Sequence, residues 1–452
     1  MRGVLLLLLC SPGFAGEKRV IYDTFSELRT AANHRSQFAG REAYQTYLTV
    51  APVAEDKRED LVNAIKFAVA SSSKQQILEY CTPQRVGDTL YHLDLERLGW
   101  NVYDWIRVLK RYPYYHGNSY PLVVRADWLL IQLMDSDESP AHWELLYGSK
   151  TIPKTVKELR AFWRVDNSLG TRHGVLEGNS GVSVQKVRVL ESRSIPRGYW
   201  WETRDVLELK PGADPLEALD NNFKIDGQEI IVGYPKVSLK KGTRGVLQFY
   251  ALAAGDGKLV FQAPTDLVED HNRFRGLAAI RTGGSCVGCH TSGLLLPNRY
   301  ELKELIKSGV DIYAKDKKKQ EQVELYHLGE VEGEIKYANE LYAKGIQGAN
   351  HLGPQENAEA FKRAVDEYDR TLTLEDVARE HYIEPKELRL ALAYYGALPA
   401  RLASLAHGKR INRPTAEKHW YTLRQVVERW TTKEKTSPIN LEDVKRRVIR
   451  AR

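Results

Sequence analysis

The run Cys286-Val287-Gly288-Cys289-His290 constrains this chain more than any other feature, because thiols and an imidazole at that spacing leave few chemistries open. Two cysteines two residues apart share one helical turn, where their thiols can add to the two vinyl groups of a haem. The next residue is then placed to ligate the iron. The run reads as a site of covalent haem c attachment, with Cys286 and Cys289 as thioether donors and His290 as axial iron ligand. Gly288, with no side chain, lets the backbone come close to the porphyrin plane.

Two other chemistries use Cys-x-x-Cys, and each asks for more than is found nearby. A thioredoxin-like pair needs its first cysteine at the start of a helix that follows a strand, whereas Thr282-Gly283-Gly284-Ser285 leads in here. Half of a zinc site needs further ligands at tight spacing, and neither a second cysteine pair nor a His-x-x-x-His pair lies close. Cys81, far from the run, reads as a buried, small apolar side chain.

The sixth iron position is left open. Met134, His271, His327 and His351 are the candidates, against an iron with no sixth protein ligand. Met134 sits in the apolar stretch Trp128 to Met134, where packing competes with ligation. Arg273, Arg275, Arg281 and Arg299 flank the run and could pair with haem propionates, while Phe274, Leu294, Leu295 and Leu296 suit an apolar wall around the iron.

The chain begins with the short basic start Met1-Arg2-Gly3, the apolar run Val4 to Leu9 and the small-residue site Gly13-Phe14-Ala15. That order predicts a signal peptide over residues 1–15 and export to the periplasm, the compartment in which c-type haem attachment takes place. Cys10 follows Leu9, where a lipidation box wants a small residue, so a lipid anchor is not expected. Nowhere does the sequence reach the ~18 to 20 uninterrupted apolar residues of a membrane helix.

With 452 residues, 42% hydrophobic and 28% charged, the chain is long enough for two or three domains and has ordinary globular usage. Its net charge of +7 is spread thinly, with clusters at Lys315 to Lys319 and near the C-terminus. Those clusters read as solvated helix faces, and with export they exclude nucleic acid as a partner in favour of a redox protein.

Texture divides the rest. From Gln37 to about Val165 apolar residues recur three and four apart, interrupted by the alternating strand Thr89 to Leu95. From Arg172 to about Asp270 come short β runs, namely Val182 to Leu190, Tyr199 to Thr203, Gln228 to Gly233, Gly245 to Leu252 and Leu259 to Phe261. The last two are joined by a hairpin turn at Ala254-Gly255-Asp256-Gly257. Helical periodicity returns after Pro297. Gly353-Pro354 starts one helix with Phe361, Ala364, Val365 and Tyr368 inward, Thr373 to Asp376 forms a capping box, and Pro385 and Pro399 punctuate shorter helices. The segment Thr373 to Leu392 resembles a helix-turn-helix only as a helical hairpin would.

Several stretches carry a wider likeness, by their order along the chain. They are Thr89 to Leu95 with Gly99-Trp100, Tyr112-Pro113-Tyr114, Val124 to Trp128, Ser180 to Ser183, Tyr199-Trp200, Asp226 to Ile231 and Gly245 to Tyr250, leading through Ala263-Pro264-Thr265 to Ser285-Cys286. In these the chain resembles a family of large exported bacterial single-haem c-type cytochrome-like proteins of uncharacterised function. The resemblance implies haem c at Cys286, Cys289 and His290. Where that family's pattern has a Leu-Pro-Asn-Gly-Leu-Gln-Gly-Tyr run, this chain has a longer, more basic segment from Tyr234 to Tyr250.

The expectation is an α+β fold with a signal peptide (1–15), a mainly helical N-terminal region (17–170), a β-rich central region with an antiparallel sheet (171–270), a haem-binding segment (271–345) and a helical C-terminal region (346–452). Electron transfer through one covalent haem leads the functional expectations. A haem-based sensor or ligand-binding module, and an enzyme acting on peroxide or a nitrogen oxide at an open iron, stand as alternatives. Oligomeric state is not legible.

Overall fold

A computed structural model describes residues 24–115, 120–134, 143, 151–166, 170–176, 187–196, 198–206, 225–262, 280–296, 315–318, 321, 331–395 and 398–436. The predicted signal peptide lies outside these residues.

The first region runs α1 (Thr24–Arg35), β1 (Gln45–Thr49), α2 (Arg58–Ser72), α3 (Leu78–Cys81), β2 (Gln84–Arg85), β3 (Leu90–Asp94), α4 (Leu95–Leu98), α5 (Val102–Leu109), β4 (Val123–Arg125), α6 (Ala126–Met134) and α7 (Val156–Trp163). The expected strand is β3. It belongs to a sheet of order β2-β3-β1-β4, in which β4 lies parallel to β1. The single-strand expectation for this region is therefore corrected. All five residues of β1 are buried, so the strand carries no alternation to read, and β4 has only three residues.

The second sheet is the predicted antiparallel one, with β5 (Gly170–Leu176), β6 (Val187–Ile195), β7 (Gly198–Val206), β8 (Ile225–Ser238), β9 (Thr243–Ala254) and β10 (Leu259–Val260) in simple neighbour order. Gly257 turns the last hairpin with φ +79°, and the Asp256 carboxylate accepts from the Lys258 amide at 3.0 Å. Alternation along β7, β8 and β9 sorts side chains onto two faces. Trp200, Ile230, Val232, Phe249 and Ala251 pack with Trp143, Val156 and Leu159 under α7. Trp201, Ile231, Val246 and Tyr250 on the opposite face join the main core, which also holds Cys286, Val287 and Leu294.

After the sheet come α8 (Gly284–Cys289), α9 (Val331–Asn350), α10 (Pro354–Asp369), α11 (Leu374–Glu380), α12 (Pro385–Tyr394), α13 (Ala400–Ala406), α14 (Arg413–Lys418) and α15 (Trp420–Thr436). Helix α9 lays Val331, Ile335, Ala338, Tyr342, Ile346 and Ala349 on the sheet as one apolar stripe. A Cβ on Gly345 would fall 1.9 Å from the Val246 carbonyl oxygen and one on Gly245 would fall 2.3 Å from the Gly345 amide, so helix and strand meet backbone to backbone there. Pro354 occupies the first turn of α10, whose Phe361, Ala364, Val365 and Tyr368 are buried as expected, and Thr373 and Asp376 form the expected capping box of α11.

Helices α11 to α15 share a second core around Leu388, Leu402, Leu423 and Trp430. Buried Glu380 joins it to the first region by accepting from Arg125 at 3.0 Å and Arg413 at 2.6 Å. The charges survive burial because each carboxylate oxygen and guanidinium faces a counter-charge. No helix among the described residues is long and apolar enough to cross a membrane.

Candidate haem-attachment site

The Cys-x-x-Cys-His run sits where the sheet hands the chain back to helices. Gln262, just past β10, bridges Arg281, and Thr282 donates its amide to the Phe261 carbonyl at 3.1 Å and its hydroxyl to the Val260 carbonyl at 3.1 Å. Gly283, at φ +98°, adopts a conformation open to glycine and starts α8. The Ser285 hydroxyl accepts from the Arg281 amide at 3.1 Å, which closes the loop. The glycine-rich lead-in is thus a tight turn that fixes α8 against the sheet edge.

Helix α8 carries both cysteines, and neither is in a disulfide. Cys286 and Val287 are buried, while Cys289 is half-buried. Among the described residues nothing lies within 4 Å of where a Cβ of Gly288 would stand.

His290 ends the helix and is 7% exposed. Its amide donates to the Cys286 carbonyl at 2.8 Å, and the chain then turns so that Gly293 donates its amide to the His290 carbonyl at 3.0 Å. Gly293 has φ +102°, and a Cβ there would stand 2.3 Å from Asn339 Oδ1. Asn339 of α9 pairs with both backbone groups of Leu294, accepting from its amide at 2.7 Å and donating to its carbonyl at 2.8 Å. The side chain acts as an added strand residue that pins the turn.

The turn sets the imidazole. Nδ1 stands 2.9 Å from the Gly293 carbonyl oxygen, and Nε2 stands 2.9 Å from Glu229 Oε1. A carbonyl and a carboxylate only accept, so both ring nitrogens donate and the ring is an imidazolium facing a carboxylate. The electrostatics agree. Burial pushes the Glu229 carboxyl up, but the His290 charge, its hydrogen bond and the nearby Arg188 guanidinium bring it down to about 2. Burial lowers His290, yet the Glu229 charge and both hydrogen bonds raise it above its ordinary value. Arg188 is held in turn by Asp205 at 2.6 and 2.9 Å. The Tyr250 ring lies 5.8 Å from the imidazole, and its hydroxyl donates to Gln248 Oε1 at 2.6 Å.

These residues fit a covalent haem on the proximal side. Both thiols are on one turn, no described residue stands within 4 Å of a Cβ at Gly288, and the bond from Nδ1 to Gly293 leaves Nε2 as the nitrogen that iron would take. Ligation requires Nε2 to lose its proton and Glu229 to give up its bond. Among the described residues no three His, Cys, Asp or Glu side chains converge as a metal-ion site, an arrangement that one axial histidine with two thioethers does not call for.

The other sequence candidates scatter. His351 is exposed just past the end of α9, amid the charges of Lys66, Lys240 and Lys241. It lies twelve residues beyond Asn339, or about 18 Å along a helix, and is not brought to His290. Met134 is buried in the main core at the end of α6. Leu294 is buried, whereas Leu295 and Leu296 are 51% and 48% exposed beside the run. Arg281 stands at the foot of the loop. His271, His327, Arg273, Arg275, Arg299 and Phe274 lie outside the described residues.

Cys81 is buried as expected, its thiol donating to the Ser73 hydroxyl at 3.0 Å. Glu229 was not singled out by sequence reasoning, since nothing local distinguishes a glutamate in a strand from a solvent-facing one. The signal was the sheet parity that places it beside Ile231 and Tyr250. No protein-family model, curated protein or solved structure matches the chain.

Proposed function

We propose that this chain is an exported monohaem c-type cytochrome of the periplasm, carrying one haem on Cys286, Cys289 and His290 and passing electrons to or from a protein partner. The observation that carries the reading is the attachment run on one helical turn, with His290 Nδ1 committed to the Gly293 carbonyl. A bound haem supplies reversible one-electron chemistry, and the protein around it sets the potential.

The chain's own residues have separate tasks in this account. Cys286 and Cys289 anchor, His290 ligates through Nε2, and Gly293 with Asn339 holds the ring in register. Val287, Leu294 and Tyr250 exclude water on the protein side, and the flank at Gly288 is the side from which a partner approaches. The resemblance to exported single-haem cytochrome-like proteins and the leader-like N-terminus support the same reading.

The test is spectroscopic. The mature chain, produced with the c-type maturation machinery, is examined by absorption and electron-spin resonance with and without carbon monoxide. Low-spin iron indifferent to carbon monoxide is expected for electron transfer, whereas high-spin iron that binds it moves ligand sensing, or catalysis on peroxide or a nitrogen oxide, ahead of that function.

A further inference from the structure

The face of the second sheet that receives α9 also holds a cleft of about 910 Å³, within the range of small-molecule sites. Its shape follows from glycines. Gly245 and Gly345 bring sheet and helix into backbone contact, while further along α9 Glu334, Tyr337 and Ala338 line the opposite side of the cleft. On the sheet side, a Cβ on Gly198 would fall 2.0 Å from the Gly233 carbonyl oxygen, and one on Gly233 would fall 2.3 Å from the Tyr199 ring. Tyr199 therefore lies flat over Gly233.

The walls combine aromatic rings with unbalanced positive charge. Tyr199 and buried Trp201 line the sheet side, and Tyr337 lines the helix side with 63% of its surface exposed. The charged lining residues are Arg193, Lys236, Arg244 and Glu334. Arg193 is paired with Glu191 at 2.9 Å, the Lys236 ammonium donates to the Ser73 and Gln75 carbonyls at 3.0 and 2.7 Å, and Glu334 accepts from the Ser192 hydroxyl at 2.8 Å. Arg244 is exposed, and its guanidinium makes no hydrogen bond or ion pair among the described residues. A planar guanidinium without a counter-charge, on a cleft edged by aromatic faces, recognises a carboxylate on a flat ring.

We propose that this cleft binds a small aromatic carboxylate, its carboxylate on Arg244 and its ring against Tyr337. None of the residues lining the cleft belongs to the run from Cys286 to His290.

Calorimetric titration of the full chain compares 4-hydroxybenzoate, its neutral methyl ester and cyclohexanecarboxylate. Saturable binding of 4-hydroxybenzoate is expected, about tenfold or more tighter than either analogue, because a charge-assisted pair and ring stacking are lost separately. Arg244→Ala and Tyr337→Leu each weaken it by a similar factor, and Arg244→Lys restores part of the loss. Both positions are exposed, so thermal melting of the variants stays at the parent value. Absence of saturable binding, an ester that binds as well as the acid, or an Arg244→Ala variant with unchanged affinity overturns the proposal.

Discussion

His290 Nε2 lies 2.9 Å from Glu229 Oε1, an ion pair between residues 61 positions apart that the sheet brings together in the protein interior. The nitrogen that iron would take is thus already engaged in the haem-free chain. On the proposed reading, haem attachment would exchange one bond of Nε2 for another.

Glu229→Ala accordingly separates the two states. In the haem-free chain it leaves the buried imidazole with one unsatisfied donor, at about 1–3 kcal/mol of stability. In the haem-loaded chain Nε2 belongs to iron and the substitution has little effect. Urea unfolding of both forms reads the difference, and an equal loss in the two contradicts the exchange.

Two glycines are predicted to behave oppositely. Gly345→Ala places a Cβ 1.9 Å from the Val246 carbonyl, so α9 must lift from the sheet, and a loss of about 1–3 kcal/mol is expected. Gly288→Ala meets nothing within 4 Å among the described residues and leaves the melting temperature of the haem-free chain near its parent value. Bulkier Gly288→Trp is expected to fold equally well yet to load less haem during maturation, which the ratio of haem to protein absorbance measures.

Acid weakens the fold through buried histidines. Burial pushes His381, stacked on Trp420 at 5.4 Å, down to about 3, and burial aided by His34 pushes His92 down to about 4. An unfolded histidine binds its proton near pH 6.5. Between that value and the folded one the unfolded chain holds more protons, so stability falls as pH drops from about 6.5 towards 3 or 4. Glu380, lifted by burial but held down to about 2 by Arg125 and Arg413, adds to the loss below about pH 4.5. Melting temperatures from pH 7 to pH 5 are expected to decline, less steeply in His381→Phe, which keeps a ring against Trp420. A slope unchanged in that variant removes His381 from the account.

What was legible in the sequence was local. Pro354, the Thr373 capping box and the Gly257 hairpin announce themselves within four residues, because helix ends and turns are decided by neighbouring backbone groups. The Cys-x-x-Cys-His run stood out for the same reason, and both of its cysteines do share one helical turn. Strand β1 was not, since every residue in it is buried and burial on both faces erases the period of two. Glu229 and the cleft were beyond reach because strand register and the contact between Gly245 and Gly345 create them.

The most direct test of the central claim is whether haem stays with the polypeptide after acid–acetone extraction of the mature chain matured in a c-type system. One haem per chain, retained through denaturation and lost in the Cys286→Ser/Cys289→Ser double variant, is the predicted result. A chain that emerges colourless, or a haem that extracts freely, contradicts it.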